Sequence, residues 1–345
     1  MGHATRGLGL GSFSATGMLS AELLTIPGRG YSHIFQGGEA YQGLQITDHQ
    51  HPHDLLMQLS AAWSVSPASR TRLTLVGALV GEPALGPVPF MHRASSAENP
   101  SAPLSHHVFD STHVSNSVVL GRVDQSIFSI EAAVFHGRES DEHRYDLDLG
   151  TLDSWAIRGW VRPTPSWQIQ VSHGFLEEPE ALEPGDQRRS SASASWTQLR
   201  SSGFTAVTAA VGRNRRQFSA VDAVLAEGTH KHGRWSVYGR AELTEVETEI
   251  LLFPSVLHVP HPGELVDRIS AFTIGIVRDI ATVRGLAFGV GGDIVRYGVP
   301  AILDNTHDAR PLSYHVFMRV SLSDVSRRMW NMTMAQNGGA GPHSH

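Results

Sequence analysis

The sequence predicts an all-β chain folded as a transmembrane antiparallel up-and-down β-barrel, and three observations predict it. Apolar and polar residues alternate with a period of two along many segments. The connections between those segments alternate between long and short. Charged residues are only 17% of the chain, against about 25% in an average soluble domain, while glycine is plentiful at 34 of 345 residues.

Alternation is clearest at Trp167-Gln168-Ile169-Gln170-Val171-Ser172. Successive strand side chains point to opposite faces, so Trp167, Ile169 and Val171 share one face and Gln168, Gln170 and Ser172 the other. Similar patterns run through 55–65, 190–198, 235–244 and 313–322. Reading the whole chain this way gives about fourteen strands, near 12–26, 53–65, 71–81, 117–123, 126–137, 153–162, 166–176, 189–199, 204–213, 218–228, 234–247, 268–280, 285–296 and 313–322. Their lengths suit tilted membrane strands, which need about 9–11 residues to cross the hydrocarbon.

The segments 27–52, 82–116, 138–152, 177–188, 248–267 and 297–312 are long. The segments 66–70, 124–125, 163–165, 200–203, 229–233 and 281–284 are short, and the brief 214–217 is the exception. Long and short connections therefore fall at opposite ends of the strands, as in outer-membrane barrels with long extracellular loops and short periplasmic turns. Trp63, Trp167, Trp196 and Trp235 lie near short turns with apolar parity, and read as one interfacial girdle. The other parity carries Glu22, Glu131, Arg158, Arg240, Glu242, Asp293 and Arg319, which predicts a wet or polar-plugged interior.

Composition excludes several alternatives. No stretch approaches the roughly 20 apolar residues of a helical span. With one lysine, Lys231, and a net charge of −6, nothing resembles a nucleic-acid surface. The absence of cysteine fits an oxidising compartment. No basic leader with an apolar core precedes the first strand; because Arg6-Gly-Leu-Gly-Leu-Gly11 reads as a short turn, residues 1–5 are expected to end a strand begun upstream. The domain reading is a barrel over 1–322, incomplete at its N-terminus, followed by a disordered Met/His-containing tail over 323–345.

Twenty histidines carry the chemical expectations. In Asp48-His49-Gln50-His51-Pro52-His53-Asp54, extended backbone projects His49, His51 and His53 to one side, a donor set suiting copper or zinc. His92, His106, His107 and His113, then His136 and His143, fall in loops on the same side, with carboxylates at Asp110, Glu139, Asp141, Glu142, Asp146 and Asp148 and a further run from Glu177 to Asp186. A metal-binding cap and an interlocked hydrogen-bonded cap both fit. Met329, Met332, Met334, His343 and His345 in the tail would also suit copper.

In Asp110-Ser-Thr-His113-Val-Ser115-Asn116, strand geometry would put His113 and Ser115 on one face, as a histidine-activated serine requires, with Asn116 available to orient the ring. This His-x-Ser-Asn resembles the active-site strand of outer-membrane phospholipase A and of lipid A deacylase barrels.

The runs His51-Pro-His-Asp-Leu-Leu-Met57, Gly81-Glu-Pro-Ala-Leu-Gly-Pro87, Phe90-Met-His-Arg93, Glu98-Asn-Pro-Ser-Ala-Pro-Leu-Ser-His-His107, Asp110-Ser-Thr-His113, Phe135-His-Gly-Arg138 and Leu152-Asp-Ser-Trp155 resemble an uncharacterised bacterial outer-membrane barrel family often met beside copper-efflux components. The resemblance implies an outer-membrane location, outer-membrane lipid and metal-efflux components as partners, and about sixteen strands once the upstream part is restored. The functional expectation is a porin- or transporter-like barrel with a histidine-rich extracellular cap that binds or passes copper or zinc ions. A lipid hydrolase using His113 and Ser115, and a structural barrel plugged by its own loops, remain the alternatives.

Overall fold

The computed structural model describes residues 2–8, 11–37, 39–110, 115–180, 183–253 and 258–322. The barrel strands come first from two hairpin arms, β1 (Gly2–Leu8) and β2 (Gly11–Leu19). The following connection carries four short strands, β3 (Tyr31–Ser32), β4 (Glu39–Tyr41), β5 (Leu44–Ile46) and β6 (His49–Gln50). The wall continues with β7 (Leu56–Ala68), β8 (Thr71–Gly81), β9 (Ser115–Gln125), β10 (Phe128–His136), β11 (Ser154–Val161), β12 (Trp167–Leu176) and β13 (Gln187–Arg200). It ends with β14 (Gly203–Arg215), β15 (Ala220–His232), β16 (Trp235–Glu247), β17 (Val266–Val283), β18 (Leu286–Gly298) and β19 (Leu312–Leu322). Fifteen of these form one sheet in the order β1-β2-β7-β8 and onward to β19. Every neighbouring pair is antiparallel, as β12 and β13 show with Trp167 opposite Trp196 and Leu176 opposite Gln187.

All fourteen expected strands are present, and β1 supplies a fifteenth. Its turn is tighter than residues 6–11, since pairing runs to Leu8 opposite Gly11. The ladder does not join β19 to β1 among the described residues. Several expected boundaries move, and two of the shifts bear on the site. The strand expected over 12–26 stops at Leu19, because Ser20 Oγ accepts from the Glu22 amide (3.1 Å) and a 3₁₀ turn follows at Glu22–Leu24. Glu22 consequently leaves the strand face and accepts from the backbone and ring of His53 instead. The strand expected from residue 53 begins at Leu56, since the Leu55 amide is drawn off to the Arg144 carbonyl (2.8 Å). The tail 323–345 lies outside the described residues.

The predicted parity holds. Trp167 and Val171 are 43% and 61% exposed, whereas Gln170 is 1% exposed. Leu75, Val123, Ile130, Ile157, Val211, Val224, Ile274 and Ile294 repeat that outward apolar pattern around the sheet. Trp63 and Trp235 are exposed beside short turns and Trp196 is half-buried there, while Trp155 is exposed near the opposite, long-loop end. Water would penalise so continuous an apolar exterior, whereas lipid accepts it. Among the described residues no helix is long and apolar enough to cross a membrane. The fold is an all-β antiparallel sheet of the up-and-down barrel type, with its apolar face turned outward.

The sheet curls around its own loops. One segment, 82–110, bonds to inward side chains of β11, β12, β14, β15 and β16, and Glu98 within it ion-pairs with Arg319 of β19. A flat sheet could not present so many strands to one loop.

Candidate functional site: a loop-filled lumen

The inward face combines a polar wall with the segment 82–110, and glycine makes their close contact possible. Gly86 adopts φ +77°, and a Cβ there would come within 2.2 Å of the Phe109 carbonyl, so only glycine lets the two stems of the segment touch. The Gly86 amide donates to Ser172 Oγ (2.9 Å), while Arg158 Nη1 donates to the Leu85 and Gly86 carbonyls (3.3 and 3.1 Å). At the other stem, Phe109 packs closely against β14 because Gly212 has no side chain; a Cβ would sit 2.6 Å from the ring.

Arg93 anchors the middle. Its guanidinium donates to Glu227 of β15 (2.8 Å), to both oxygens of Asp110 (2.9 and 3.3 Å) and to the Val88 carbonyl (2.9 Å). Its side chain is 2% exposed, so these charge-assisted bonds replace water outright. Arg240 completes the pairing by donating to Glu227 (3.0 Å), Ser96 Oγ (2.8 Å) and the Ser101 carbonyl (2.9 Å). Ser95 Oγ donates to Glu227 and shares a hydrogen bond with the Thr208 hydroxyl, and Ser105 donates to Glu242 through both its amide and its hydroxyl. Glu98 takes a bond from Ser236 (3.0 Å) and ion-pairs with Lys231 and Arg319.

A second layer rests on the first. The antiparallel pair β3–β6 sets Tyr31 opposite Gln50. Gln50 Oε1 then accepts from both the Tyr31 hydroxyl (2.6 Å) and the Ala102 amide (2.9 Å). Gln36 donates to the Pro103 carbonyl and His33 Nε2 to the Ala102 carbonyl, each at 3.0 Å. Burial pushes the His33 imidazole down to about 4, so it is neutral at physiological pH.

Toward the long-loop rim, Glu180, Glu183, Arg216, Glu247 and His107 line a cavity of about 110 Å³ with Phe35 and Leu251. Arg216 pairs with Glu183 and Glu247. Burial, with Glu180 and Glu247 nearby, pushes the Glu183 carboxyl up to about 7 despite that arginine.

The charged residues assigned to the inner face lie there, Glu22 excepted. Glu131 receives Arg122 (3.0 Å), Arg158 (2.7 Å) and the Trp160 indole (3.1 Å), while Asp293 receives Tyr238 (2.8 Å) and His315 (2.6 Å). Acidic and basic groups neutralise one another in place, so the wall is polar without one dominant sign.

The structure places the histidines separately. His49 Nδ1 bonds the Thr47 carbonyl (2.9 Å), His51 Nδ1 the Pro52 carbonyl (2.8 Å) and His53 Nδ1 Glu22 (2.7 Å). His51 and His53 are neighbours with ring centroids 5.9 Å apart. Among the described residues, the three do not bring ligand atoms together as one group. The expected convergence is not seen because β6 ends at Gln50, and Pro52 has no N–H with which to carry the ladder on through His53. His92 pairs with Glu82 (3.1 Å). His106 bonds the Pro103 carbonyl and lies against His107 at a centroid spacing of 4.0 Å. His107 lies with Glu139 and Glu180, whose carboxylates also face Arg189. His136 pairs with Asp153 and His143 with Asp141.

His113 lies outside the described residues. Ser115 is 4% exposed, and Asn116 donates to Ser140 (3.4 Å). A lipid hydrolase needs its serine open to the bilayer rim, which this burial does not provide. Sequence reasoning missed Arg93, Glu98, Arg122 and Glu227. The strand residues Arg122 and Glu227 have the inward parity that could have found them; Arg93 and Glu98 lie in a loop, where no periodicity marks a buried charge.

No family model matches the sequence, and no curated protein matches it. Solved structures do. OccAB2 of Acinetobacter baumannii is similar over 90% of this chain and 74% of its own, at 12% identity and a TM-score of 0.45. OpdQ of Pseudomonas aeruginosa matches 76% of this chain and 71% of its own, at 10% identity and a TM-score of 0.44. An anion-selective porin from Comamonas acidovorans matches 81% of this chain and 95% of its own, at 8% identity and a TM-score of 0.43.

Proposed function

We propose that this chain is a porin-like outer-membrane channel for small polar solutes and ions, throttled by the segment 82–110. The observation that carries the reading is the pairing of an apolar exterior with an interior whose buried groups are charged and hydrogen-bonded to one inserted loop. A barrel needing only stability would be expected to fill with apolar side chains, since replacing buried ion pairs by apolar groups is often neutral or stabilising. Paired charges instead leave a hydrophilic surface wherever the loop shifts. Transition-metal ions are within the proposed cargo. His49, His51 and His53 near the mouth support that extension as a chain of separate imidazoles, each able to exchange an ion transiently while neutral.

The test is planar-bilayer conductance of the refolded chain. Discrete steps in potassium chloride are expected. Silent insertion of chain shown to be folded by its heat-modifiable electrophoretic mobility would overturn the channel reading in favour of a plugged structural barrel.

A further inference from the structure

A second cluster of imidazole and carboxylate groups lies in the connection between β16 and β17 and contains none of the histidines singled out by sequence. The short helix Thr248–Leu252 opens that connection and buries Ile250 and Leu251; Leu251 packs in an apolar cluster with Phe35, Leu104 and Ile269. Its base is closed by the Thr248 amide donating to the Leu265 carbonyl (2.9 Å). Glu249 is therefore held on a fixed helix. On the returning limb, the Glu264 amide bonds the His261 carbonyl (3.2 Å) around Gly263, whose φ of +91° suits glycine. His258, His261 and Glu264 are thereby brought back over Glu249.

Ligand atoms of Glu249, His258 and Glu264 all lie within 4.8 Å of one another. The decisive detail is the contact between His258 Nε2 and Glu264 Oε1. They are 2.9 Å apart on side chains only 6% and 0% exposed, yet neither atom has a hydrogen-bond partner. Two buried polar atoms left in that state are destabilising, because each has given up water without a replacement. A cation between them would satisfy both lone pairs at once. His261 Nε2 meets Glu249 Oε2 at 3.0 Å, the carboxylate–imidazole contact that orients metal ligands from outside.

We propose that His258, Glu264 and Glu249 bind a divalent transition-metal ion, with His261 as a positioning residue and a fourth position open to solvent. One imidazole and two carboxylates suit Zn²⁺, and Cu²⁺ or Ni²⁺ would also enter such a nitrogen and oxygen set. Neighbouring ligands around a tetrahedral ion at 2.0–2.2 Å sit about 3.3–3.6 Å apart, so side-chain rotation suffices to close the site. The loop lies at the end of the strands that carries the long connections, where an external ion would reach it first. Binding would also tie both limbs of the connection together. It does not depend on the channel reading, because none of the four residues contacts the segment 82–110 through the bonds described above.

The test uses the full chain folded in detergent, stripped with a chelator and titrated with zinc chloride by calorimetry. One ion per chain is expected. His258→Ala and Glu264→Gln should each weaken binding at least tenfold, and His261→Asn about tenfold with the stoichiometry kept. The triple replacement of His49, His51 and His53 by Ala should leave the tight one-ion step unchanged and alter only weak, transient binding. The proposal is overturned if folded His258→Ala and Glu264→Gln proteins bind as the unaltered chain does, if the triple variant abolishes binding, or if no zinc binds. Should His258→Ala not fold, electron paramagnetic resonance of Cu²⁺ on the unaltered chain decides: coupling to one imidazole nitrogen supports the site, and coupling to three reassigns the ion to the His49 segment. Conductance of His258→Ala should equal that of the unaltered chain, which separates this proposal from the channel.

Discussion

Replacing Arg93 by methionine keeps the length of the side chain and removes its charge, and it strikes the point where segment and wall are most tightly joined. The guanidinium makes bonds at 2.8–3.3 Å to two buried carboxylates, Glu227 and Asp110. Glu227 would keep Arg240 and Ser95, but Asp110 would lose the group that both of its oxygens bond. Removing one partner of a buried pair costs about 3–5 kcal/mol. The barrel itself should survive, because its strand ladders do not involve Arg93. The cost instead falls on the equilibrium between docked and released segment, raising the released fraction roughly 10²- to 5 × 10³-fold. In single-channel recordings, Arg93→Met should therefore show larger or more frequent conductance steps, and protease should cleave within 82–110 faster. The double variant Arg93→Met/Asp110→Asn should recover part of the loss, since the stranded charge goes with its partner. Conductance and cleavage unchanged in Arg93→Met would refute the view that this ion pair holds the constriction.

Three further outcomes follow from the same geometry. Val171→Arg, on the outward face of β12, should destabilise the folded barrel by about 2–4 kcal/mol in lipid vesicles, the cost of a cation near the bilayer midplane; an unchanged urea midpoint would deny that this face meets lipid. Glu131→Leu should lower stability by roughly 3–5 kcal/mol by taking from Arg158 its carboxylate partner, while Arg122 keeps Asp124, and Arg158→Met in the same chain should recover part of it; additive losses in denaturation would count against the pairing. Acidification should loosen the segment through His33, which binds a proton only near pH 4 when docked and near pH 6.5 when released. That contribution is intact above about pH 6.5 and declines toward pH 4 by up to about 3 kcal/mol. His33→Asn should flatten the pH dependence of proteolysis across this window; an identical slope would remove His33 from the account.

The wall was legible in the sequence because it is local physics. A strand repeats every two residues, so Trp167 to Ser172 declares both faces by itself, and the sorting of long and short connections follows from where each alternation stops. Even inner-wall charges such as Arg158 and Glu131 could be placed by counting parity. The errors at Glu22 and His53 arose at strand ends, where one Ser20 hydrogen bond or one proline decides whether extended backbone continues. The interior was not legible, because a loop has no period. Nothing near Arg93 or Ser105 states that their partners are Glu227 and Glu242, more than a hundred residues away. The histidines make the same point. His49, His51 and His53 looked joined by spacing but bond apart. His258 and Glu264 looked unremarkable among prolines, and their contact exists because a buried helix, a glycine turn and the Thr248–Leu265 closure fold the chain back on itself. Sequence by itself determined the periodic shell; only the tertiary structure, by setting loop against wall, decided which buried charges meet and what they leave unsatisfied.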